Sequence, residues 1–446
     1  MGIVNLTSEF VALESITSDD KSYCGGKGAM LGQLMRLDLK GKPTVPTGGV
    51  VTTVAFERWL NTGGVKDANL TKALDTVGKD VTEIEKLSKI LVDKMKDVPV
   101  PECTVADIKK YDGDWSTKWA ARSSAVGEDG EVASFAGQHD SYLNLTSFDK
   151  LIDGVRNVWL SSFNPRALYY RVLTKNTAKP IRHAVVLQRM VDAELAGVAF
   201  SIDPRTGVKN HGLIEYVNGL GDKLVDGSTN PTLVQFVHGK PLITNVPAVR
   251  ATAETVLELQ DKLGWPVDME WAWKEDGLFL LQARPITSLP EALAQDKATA
   301  LMLEHAEYGT PYVVGETLAV GEVFAKGYIT RKQAKALLAN PNYGTPAWKG
   351  FKLHFRILVV PFTSPLDVPL MEKVRGIIVS KGGALSHAAI FCREFNKPCI
   401  KVKSLDALKH NNTKFESSPI FMDGNRGAVY KLTALQASKG GQLNGT

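Results

Sequence analysis

Cysteine is scarce in this chain, and its few copies are widely scattered. The four are Cys24, Cys103, Cys392 and Cys399, in a sequence of 446 residues. They show neither the dense pattern of a disulfide framework nor the paired spacing of a zinc site. We therefore expect a reducing, cytoplasmic setting.

Long apolar runs are absent as well. No stretch approaches the roughly 18 uninterrupted apolar residues of a transmembrane helix. The first twenty residues, MGIVNLTSEFVALESITSDD, carry acidic side chains early and lack the basic segment and apolar core of a secretory signal. The sequence therefore predicts neither a membrane-spanning helix nor a signal peptide.

Charge is distributed unevenly along the chain. The net charge is +5, but residues 312–446 hold 19 basic against 8 acidic side chains, whereas residues 1–311 hold 34 against 40. Parts of opposite sign indicate two domains that attract each other, or a basic part that handles phosphorylated or acidic partners. Solvated faces without a partner explain the counts equally well. No basic helix or stripe of aromatic residues and arginine supports nucleic-acid binding.

The pattern of apolar runs and turn residues divides the sequence into segments. At this length roughly two to three domains are expected. Short apolar runs bounded by Gly, Asp or Pro predict strands from residue 118 onward, and VTEIEKLSKILVDKM predicts an amphipathic helix. We predict a multidomain α/β and α+β protein. Its parts are a first domain over 1–288, a helical connector over 289–311, a small α/β domain over 312–435 and a polar tail over 436–446.

A first candidate for chemistry is GGKGAML, from Gly25 to Leu31. Two glycines and Lys27 precede a helical pattern, and amides at a helix start together with a lysine favour anions. The spacing of a Walker A loop is absent. An ordinary turn remains the alternative.

A second candidate is WAARSSAVGEDGEVASFAGQHDSYLNL, from Trp119 to Leu145. Arg122 at a predicted strand end offers a planar fork suited to phosphate oxygens. The small residues that follow let a backbone approach a phosphate chain closely. The alternative is a surface ion pair of Arg122 beside a turn.

A third candidate is DMEWAWKEDGLFLLQARPIT, which predicts a β-hairpin with its turn near Asp276 and Gly277. Asp268 and Glu270 lie on one face of the first strand, and Gln282 and Arg284 lie two apart on the second. An acidic pair that meets a Gln/Arg pair makes an oxygen site for Mg²⁺ beside a cation for phosphate. A cross-strand salt bridge on a surface hairpin is the alternative.

The fourth candidate is KGGALSHAAIFCREFNKPCI, in which His387 follows two glycines and a serine at the start of a helical run. Such a histidine could cap the helix, bind a metal, act as a general base or carry a covalent group. A neutral imidazole is a good nucleophile. A negative charge added to it would be stabilised by the amides and dipole of the helix start.

In this order, these stretches resemble the phosphoenolpyruvate synthase and pyruvate phosphate dikinase family. VLQRMVDAELAGVAFSIDPRTG and IEYVNGLGDKLVDGSTNP are similar to its adenine hinge and following glycine loop. Gly382, Gly383, His387 and Arg393 match the signature of its phosphohistidine domain. The resemblance covers about 1–288 and 312–435. It implies an ATP-grasp domain followed by a small swivelling phosphohistidine domain.

The resemblance also implies roles for individual residues. The residues expected to hold the phosphates of ATP are Lys27, Arg122 and Arg284. Those expected to bind Mg²⁺ are Glu270 and Gln282, with Asp268 as a nearby support. Those expected to face the adenine are Gln188, Met190 and Val191. The phosphoryl carrier would be His387.

Three departures from the family pattern stand out. Leu385 occupies the position of a threonine that is a regulatory phosphorylation site in some members, so that control is not expected here. Asp222 replaces the glutamate of the family's GLGE sequence. The barrel that binds pyruvate or phosphoenolpyruvate does not follow Leu432 in this sequence.

The implied activity is that of a dikinase-type, ATP-dependent phosphotransferase. ATP would be cleaved to AMP and phosphate, with the β-phosphoryl group passing through His387 to a small-molecule acceptor or to a separate acceptor-binding protein. Two alternatives stay open at this point. One is a phosphocarrier subunit that needs that second protein, and the other is an ATP-grasp ligase that forms an acyl phosphate.

Overall fold

The structure is a computed structural model, and its chain forms two compact units. It describes residues 8–111, 114–127, 140–208, 211–225, 229–237, 240–241, 246–275, 277–286, 289, 311, 313–326, 328–338, 353–364, 367–384, 386–408 and 420–431. The first unit comprises Met1–Ser201, Val217–Leu220 and Val234–Thr287, and the second comprises Ile202–Tyr216, Gly221–Leu233 and Ser288–Thr446. Within the described residues, no helix combines the length and the apolar character needed to cross a bilayer.

The elements up to residue 287 are eleven strands and nine α-helices within the described ranges. The strands are β1 (Phe10–Ala12), β2 (Gly48–Val51), β3 (Trp119–Ala125), β4 (Ser141–Leu145), β5 (His183–Arg189), β6 (Leu195–Phe200), β7 (His211–Asn218), β8 (Thr232–Val237), β9 (Lys240–Pro241), β10 (Val267–Lys274) and β11 (Gly277–Pro285). The helices are α1 (Lys21–Leu34), α2 (Thr53–Thr62), α3 (Asp67–Val77), α4 (Val81–Met95), α5 (Glu102–Lys110), α6 (Phe148–Leu160), α7 (Pro165–Leu173), α8 (Asp222–Val225) and α9 (Pro247–Leu263).

The first unit contains a five-stranded antiparallel sheet in the order β1-β2-β5-β3-β4. Strand β5 lies at its centre, where its apolar run AVVL, with two β-branched valines, is buried together with His183 and Gln188. Strands β6, β10 and β11 form an antiparallel group in the same unit, in which β10 pairs with both neighbours. The predicted amphipathic helix is confirmed as α4, capped by Asp80, whose carboxylate accepts from the Thr82 and Glu83 amides.

The second unit has nine strands and three α-helices in its described part beyond residue 311. The strands are β12 (Val313–Val314), β13 (Glu316–Ala319), β14 (Glu322–Ala325), β15 (Tyr328–Thr330), β16 (Ile357–Val359), β17 (Gly376–Val379), β18 (Cys399–Lys401), β19 (Ile420–Asp423) and β20 (Ala428–Lys431). The helices are α10 (Arg331–Leu338), α11 (Val368–Lys373) and α12 (His387–Glu394). Short 3₁₀ turns in the two units lie at Leu13–Ser15, Ser18–Asp20, Ser161–Phe163, Leu353–Phe355 and Leu405–Leu408.

These strands form two sheets of different kinds. Strands β15, β16, β17 and β18 are parallel neighbours, and β13 adds to the β18 edge in the antiparallel sense. Helices α11 and α12 connect successive parallel strands, as crossover connections must. The second sheet is antiparallel, in the order β12-β20-β19-β14. The predicted mixed α/β multidomain class is confirmed. The expected connector, apart from residues 289 and 311, and the expected tail over 436–446 lie outside the described residues.

An aromatic cluster forms much of the core of the first unit. Trp59 of α2 contacts the rings of Phe56, Trp159 and Phe163 at centroid distances of 5.9, 5.3 and 6.4 Å. All four side chains are fully buried. The indole N–H of Trp59 donates to the carbonyl of Val98 at 3.1 Å, so that its polar atom is satisfied.

Replacing Trp59 with alanine should therefore lower the free energy of unfolding by about 3–5 kcal/mol, because a large apolar contact and a hydrogen bond are both lost. Urea unfolding followed by far-ultraviolet circular dichroism measures the change. Ile90→Ala is the control, because Ile90 of α4 is 65% exposed and its loss should cost no more than about 0.5 kcal/mol. Equal costs for the two variants would contradict the assignment of this cluster to the core.

Candidate active site

The glycine-rich turn of α1 is tied directly to strand β3. The helix is interrupted at Gly25, where φ is +67°. A Cβ atom at that position would lie 1.9 Å from the carbonyl oxygen of Ser124, so only glycine permits this approach. The Ser124 hydroxyl donates to the Cys24 carbonyl at 2.6 Å and accepts from the Gly28 amide at 3.0 Å. The first two candidate stretches of the sequence therefore meet, with Lys27 between these contacts.

Arg122 of β3 reaches from the five-stranded sheet to the hairpin of β10 and β11. Its guanidinium donates to the Leu281 carbonyl at 2.9 Å and to the Gln282 side-chain oxygen at 3.1 Å. It also forms a short ion pair with Glu270. Both side chains of that pair are largely buried, with 15% and 22% exposed. The alternative of a surface ion pair beside a turn is therefore wrong for Arg122.

The predicted hairpin is confirmed, and its register is the one needed for a site. Asp268 pairs with Arg284 and Glu270 with Gln282 across β10 and β11. The Arg284 Nε atom donates to Asp268 Oδ2 at 2.9 Å. Asp268 and Gln282 are buried, so the hairpin does not lie on the surface. A cross-strand salt bridge does form, but inside the protein, together with the acidic and amide oxygens. Asp276 of the predicted turn lies outside the described residues.

The electrostatics of Glu270 show which predicted residues surround it. Burial by itself raises the pKa of this carboxyl, but Arg122 and then Arg284 and Lys27 outweigh burial, so the pKa lies below its ordinary value. Three cations from three separate stretches of sequence thus act on one carboxylate. Glu270 is consequently ionised at neutral pH, the form that binds a divalent cation. The ionised carboxylate stabilises the folded protein. That contribution is fully present above the ordinary pKa of a glutamate and is lost as the pH falls through the lowered pKa of the folded state.

The predicted adenine-facing residues lie at and just beyond the end of β5. Gln188 is 3% exposed, and its side-chain nitrogen has no hydrogen-bond partner among the described residues. The Met190 amide donates to the Lys118 carbonyl at 2.9 Å. Met190 could therefore offer a base its carbonyl but not its N–H. Val191 is partly buried beside it. A buried amide donor without a partner is the group that a nucleobase nitrogen would satisfy.

In the second unit, His387 is the first residue of α12, as predicted. The Ser386 side chain caps this helix by accepting from the Ala389 amide at 3.4 Å. His387 itself is 8% exposed. Its Nδ1 atom lies 3.4 Å from the Thr363 hydroxyl, and its ring lies 6.4 Å from that of Phe391. The cap is a serine, so the imidazole is not the capping group of this helix.

The remaining residues of the phosphohistidine signature shape the loop before α12. Gly382 has a φ of +105°, which glycine adopts without strain. Arg393 donates to the carbonyls of Ala384 and Leu318 at 2.7 and 3.1 Å. The arginine of the signature therefore supports the loop that leads to His387. Leu385 lies outside the described residues.

Sequence reasoning missed two residues of these sites. Ser124 joins the glycine-rich turn to β3, and Thr363 contacts the imidazole of His387. Ser124 falls inside a quoted stretch, but nothing in the pattern distinguishes it from its neighbour Ser123. Thr363 follows β16, and the carboxyl ends of parallel strands meet at one edge of a sheet, which is the signal that could have located it. Asp222, the shortened residue of GLGD, is exposed at the first position of α8.

Family comparison agrees with the geometry of both units. Residues 21–246 and 240–305 match the model of the pyruvate phosphate dikinase AMP/ATP-binding domain. Residues 354–427 match that of the PEP-utilising enzyme mobile domain. The chain thus belongs to the phosphoenolpyruvate synthase and pyruvate phosphate dikinase family, and its nucleotide-binding part is of the ATP-grasp type. The resemblance found in the sequence is confirmed.

Among curated relatives, the chain is similar to a probable phosphoenolpyruvate synthase of Methanothermobacter thermautotrophicus, with 31% identity over 96% of this chain and 64% of the relative. It is also similar to the phosphoenolpyruvate synthases of Pyrococcus furiosus, at 28% identity over 94% of this chain and 58% of the relative, and of Escherichia coli, at 28% over 92% and 56%. The chain therefore spans about three-fifths of the length of these relatives.

The donor set fits the cofactors of the family, which are ATP and Mg²⁺. Within the described part of the chain, no three His, Cys, Asp or Glu side chains converge on a metal position. Glu270 and Gln282 alone do not complete a coordination shell. Such a small oxygen set is typical of Mg²⁺, which is bound through one or two side chains while phosphates and water supply the rest.

If Glu270 binds the metal as expected, Glu270→Ala should abolish binding of ATP with Mg²⁺ while the protein stays folded, because the variant lacks the carboxylate and leaves Arg122 without that partner. The cost in stability should be about 1–3 kcal/mol, since Glu270 accepts a largely buried, charged hydrogen bond. Titration calorimetry with Mg²⁺-ATP measures binding, and thermal unfolding measures the fold.

Asp192→Ala is the matched control, because Asp192 forms an exposed ion pair with Lys118 at 3.6 Å and should change neither quantity. Normal nucleotide binding by Glu270→Ala would refute the assignment of the metal site.

Proposed function

We propose that this chain is a dikinase-type, ATP-dependent phosphotransferase that works through a phosphohistidine at His387. ATP is cleaved to AMP and phosphate with uptake of one water, and the β-phosphoryl group becomes bonded to the imidazole. From there it passes to an acceptor, either a small molecule or a molecule held by a separate acceptor-binding protein. Family membership supports the reaction type, and the residues of the two sites support the roles.

The observation that carries this proposal is the convergence of Lys27, Arg122 and Arg284 on the carboxylate of Glu270. These cations come from α1, β3 and β11, and Asp268 pairs with Arg284 in the same hairpin. A polyphosphate bound beside Glu270 would meet all three. Arginine forks and a lysine at a helix start are the groups that proteins use for phosphate oxygens.

In this reaction the residues of the first site act by positioning the phosphates and by neutralising their charge. Lys27, Arg122 and Arg284 hold the phosphates in line with the attacking imidazole and neutralise charge in the transition state. When bound, Mg²⁺ at Glu270 and Gln282 adds a further positive charge at the phosphates. Gln188 donates to the adenine, with the backbone of Met190 and Val191 beside it. At His387, the backbone dipole of the α12 start stabilises the charge of the new phosphoryl group.

The part that carries His387 moves in this proposal. The imidazole has to meet ATP and then an acceptor that cannot occupy the same phosphate pocket, so a swivelling domain connected through residues 289–311 is needed. Opposite net charges on 1–311 and 312–446 favour association with the ATP-binding part. Phosphorylation adds a charge of about −1.5 to −2, which weakens that attraction.

ATP labelled at its β-phosphate should transfer the label to the protein, as an acid-labile and base-stable adduct. His387→Ala should abolish the labelling, because no other imidazole replaces the carrier. AMP should be released in the same amount as the adduct. His354→Ala serves as the control, because His354 is an exposed histidine in a 3₁₀ turn of the same unit, with its ring tilted against that of Phe355.

Label that survives in His387→Ala would refute the carrier role. Release of ADP in place of AMP, independent of His387, would show a ligase of the acyl-phosphate type. Adding a mixture of metabolites to the labelled protein and following turnover of ATP to AMP identifies a small-molecule acceptor. Turnover that appears only with a second protein identifies a carrier subunit.

Salt should slow the labelling of His387 if charge attraction favours the charging position. Exposed charges are screened over about 10 Å at 0.1 M salt, so the rate at saturating ATP should fall as NaCl rises from low concentration to about 0.5 M. A matched series that measures ATP affinity separates this effect from weaker nucleotide binding. A rate that does not depend on salt would exclude the electrostatic part of the proposal.

A further inference from the structure

Ala384, three residues before His387, is held at both of its backbone polar atoms. The Ala384 amide donates to the carboxylate of Glu215, with distances of 2.8 Å to Oε1 and 3.0 Å to Oε2. The Ala384 carbonyl accepts from Arg393 at 2.7 Å. Ala384 is fully buried. One residue of β7 and one of α12 therefore fix the backbone on the two sides of Ala384, all within the second unit.

Gly383 leaves the space that Glu215 occupies. A Cβ atom at residue 383 would lie 2.4 Å from either carboxylate oxygen of Glu215 and 2.6 Å from its Cδ atom. Contacts that short do not occur between real atoms, so the Glu215 carboxylate would have to move away. The second glycine of the signature is thus needed here to admit a carboxylate.

Glu215 is fully buried, and its hydrogen bonds among the described residues come only from the Ala384 amide. The nearest cations are engaged elsewhere. Arg205 binds Asp203 at 2.7 Å and Glu316 at 3.0 Å, and Lys401 also pairs with Glu316. Burial raises the pKa of Glu215, which shows that the site disfavours its charge. Such a costly group is retained where it fixes a particular geometry.

We propose that Glu215 is a positioning residue for phosphoryl transfer: it holds the Gly383–Ala384 segment so that His387 is presented in the orientation that receives the phosphoryl group. This role rests on the proposed function of His387. Glu215 lies within the residues matched by the nucleotide-binding model, and Ala384 lies within those matched by the mobile-domain model. A contact between these two parts of the sequence is placed to act during charging by ATP.

The test compares four variants: Glu215→Ala, Glu215→Gln, Gly383→Ala and the double variant Glu215→Ala with Gly383→Ala. Two quantities are measured. One is the rate of His387 labelling by β-labelled ATP, as a function of ATP concentration. The other is hydrogen exchange of the Ala384 amide, which needs no activity. Glu316→Gln is the control, because it removes a charge beside Arg205 and Lys401 without touching the loop.

Glu215→Ala should lower the labelling rate at saturating ATP by about tenfold or more, with the KM for ATP unchanged, because the hydrogen bond that holds the loop at Ala384 is lost. Exchange of the Ala384 amide should become faster. Glu215→Gln should restore most of the rate, since its side-chain oxygen still accepts from that amide. Gly383→Ala should be as slow as Glu215→Ala, and the double variant no slower than either, because removing the carboxylate removes the clash.

A double variant whose labelling rate falls by the product of the two single reductions would overturn the positioning role. Normal labelling and normal exchange of the Ala384 amide in Glu215→Ala would also overturn it. A rise in the KM for ATP with the maximal rate unchanged would also overturn it, since that result places Glu215 in nucleotide binding. Absence of label on the wild-type protein would instead refute the proposed function, and the exchange measurements alone would then decide whether Glu215 holds the loop.

Discussion

The ion pair between Arg122 and Glu270 is the contact on which the first unit's site depends. It joins strand β3 of the five-stranded sheet to strand β10 of the hairpin, and both partners are largely buried. Removing either side chain leaves the other as a poorly solvated charge, which is the costly case for a buried pair. The same contact fixes the distance between the two groups of strands. The hairpin oxygens are therefore held facing the arginine fork before any ligand arrives.

The neighbouring residues are also held in place by contacts between distant parts of the sequence. Ser124 joins the α1 turn to β3 through two hydrogen bonds, and Gly25 allows the approach because it has no Cβ. Lys27 is thereby brought close enough to Glu270 to lower its pKa. Three cations thus act on the carboxylate of Glu270, and Asp268 pairs with Arg284 beside it. Cations and hard oxygen ligands side by side suit an anion accompanied by a divalent cation.

The second unit places its histidine by a different principle. Parallel strands β17 and β18 are joined through α12, so the helix begins where β17 has ended, at the edge where ligands of parallel sheets bind. His387 occupies the first helical position, while Ser386 satisfies the cap. The loop before it is then held by Arg393 on one side and by Glu215 on the other. The helix start and its Ser386 cap place the imidazole, and Arg393 and Glu215 hold the loop before it.

The sequence by itself determined the hairpin of β10 and β11, the helix that starts at His387, and the mixed α/β class. These features depend on period-2 and helical periodicities, turn residues and a cap, all of which act over a few neighbouring positions. The register that opposes Glu270 to Gln282 follows from the hairpin and was also accessible. What only the tertiary structure decided are the contacts between residues far apart in sequence: Ser124 with the α1 turn, Thr363 with His387, and Glu215 with Ala384. No periodicity encodes such pairs, because each depends on how separate strands pack. For the same reason the burial of the hairpin could not be foreseen, since an alternating strand looks the same whether another sheet covers its polar face or water does.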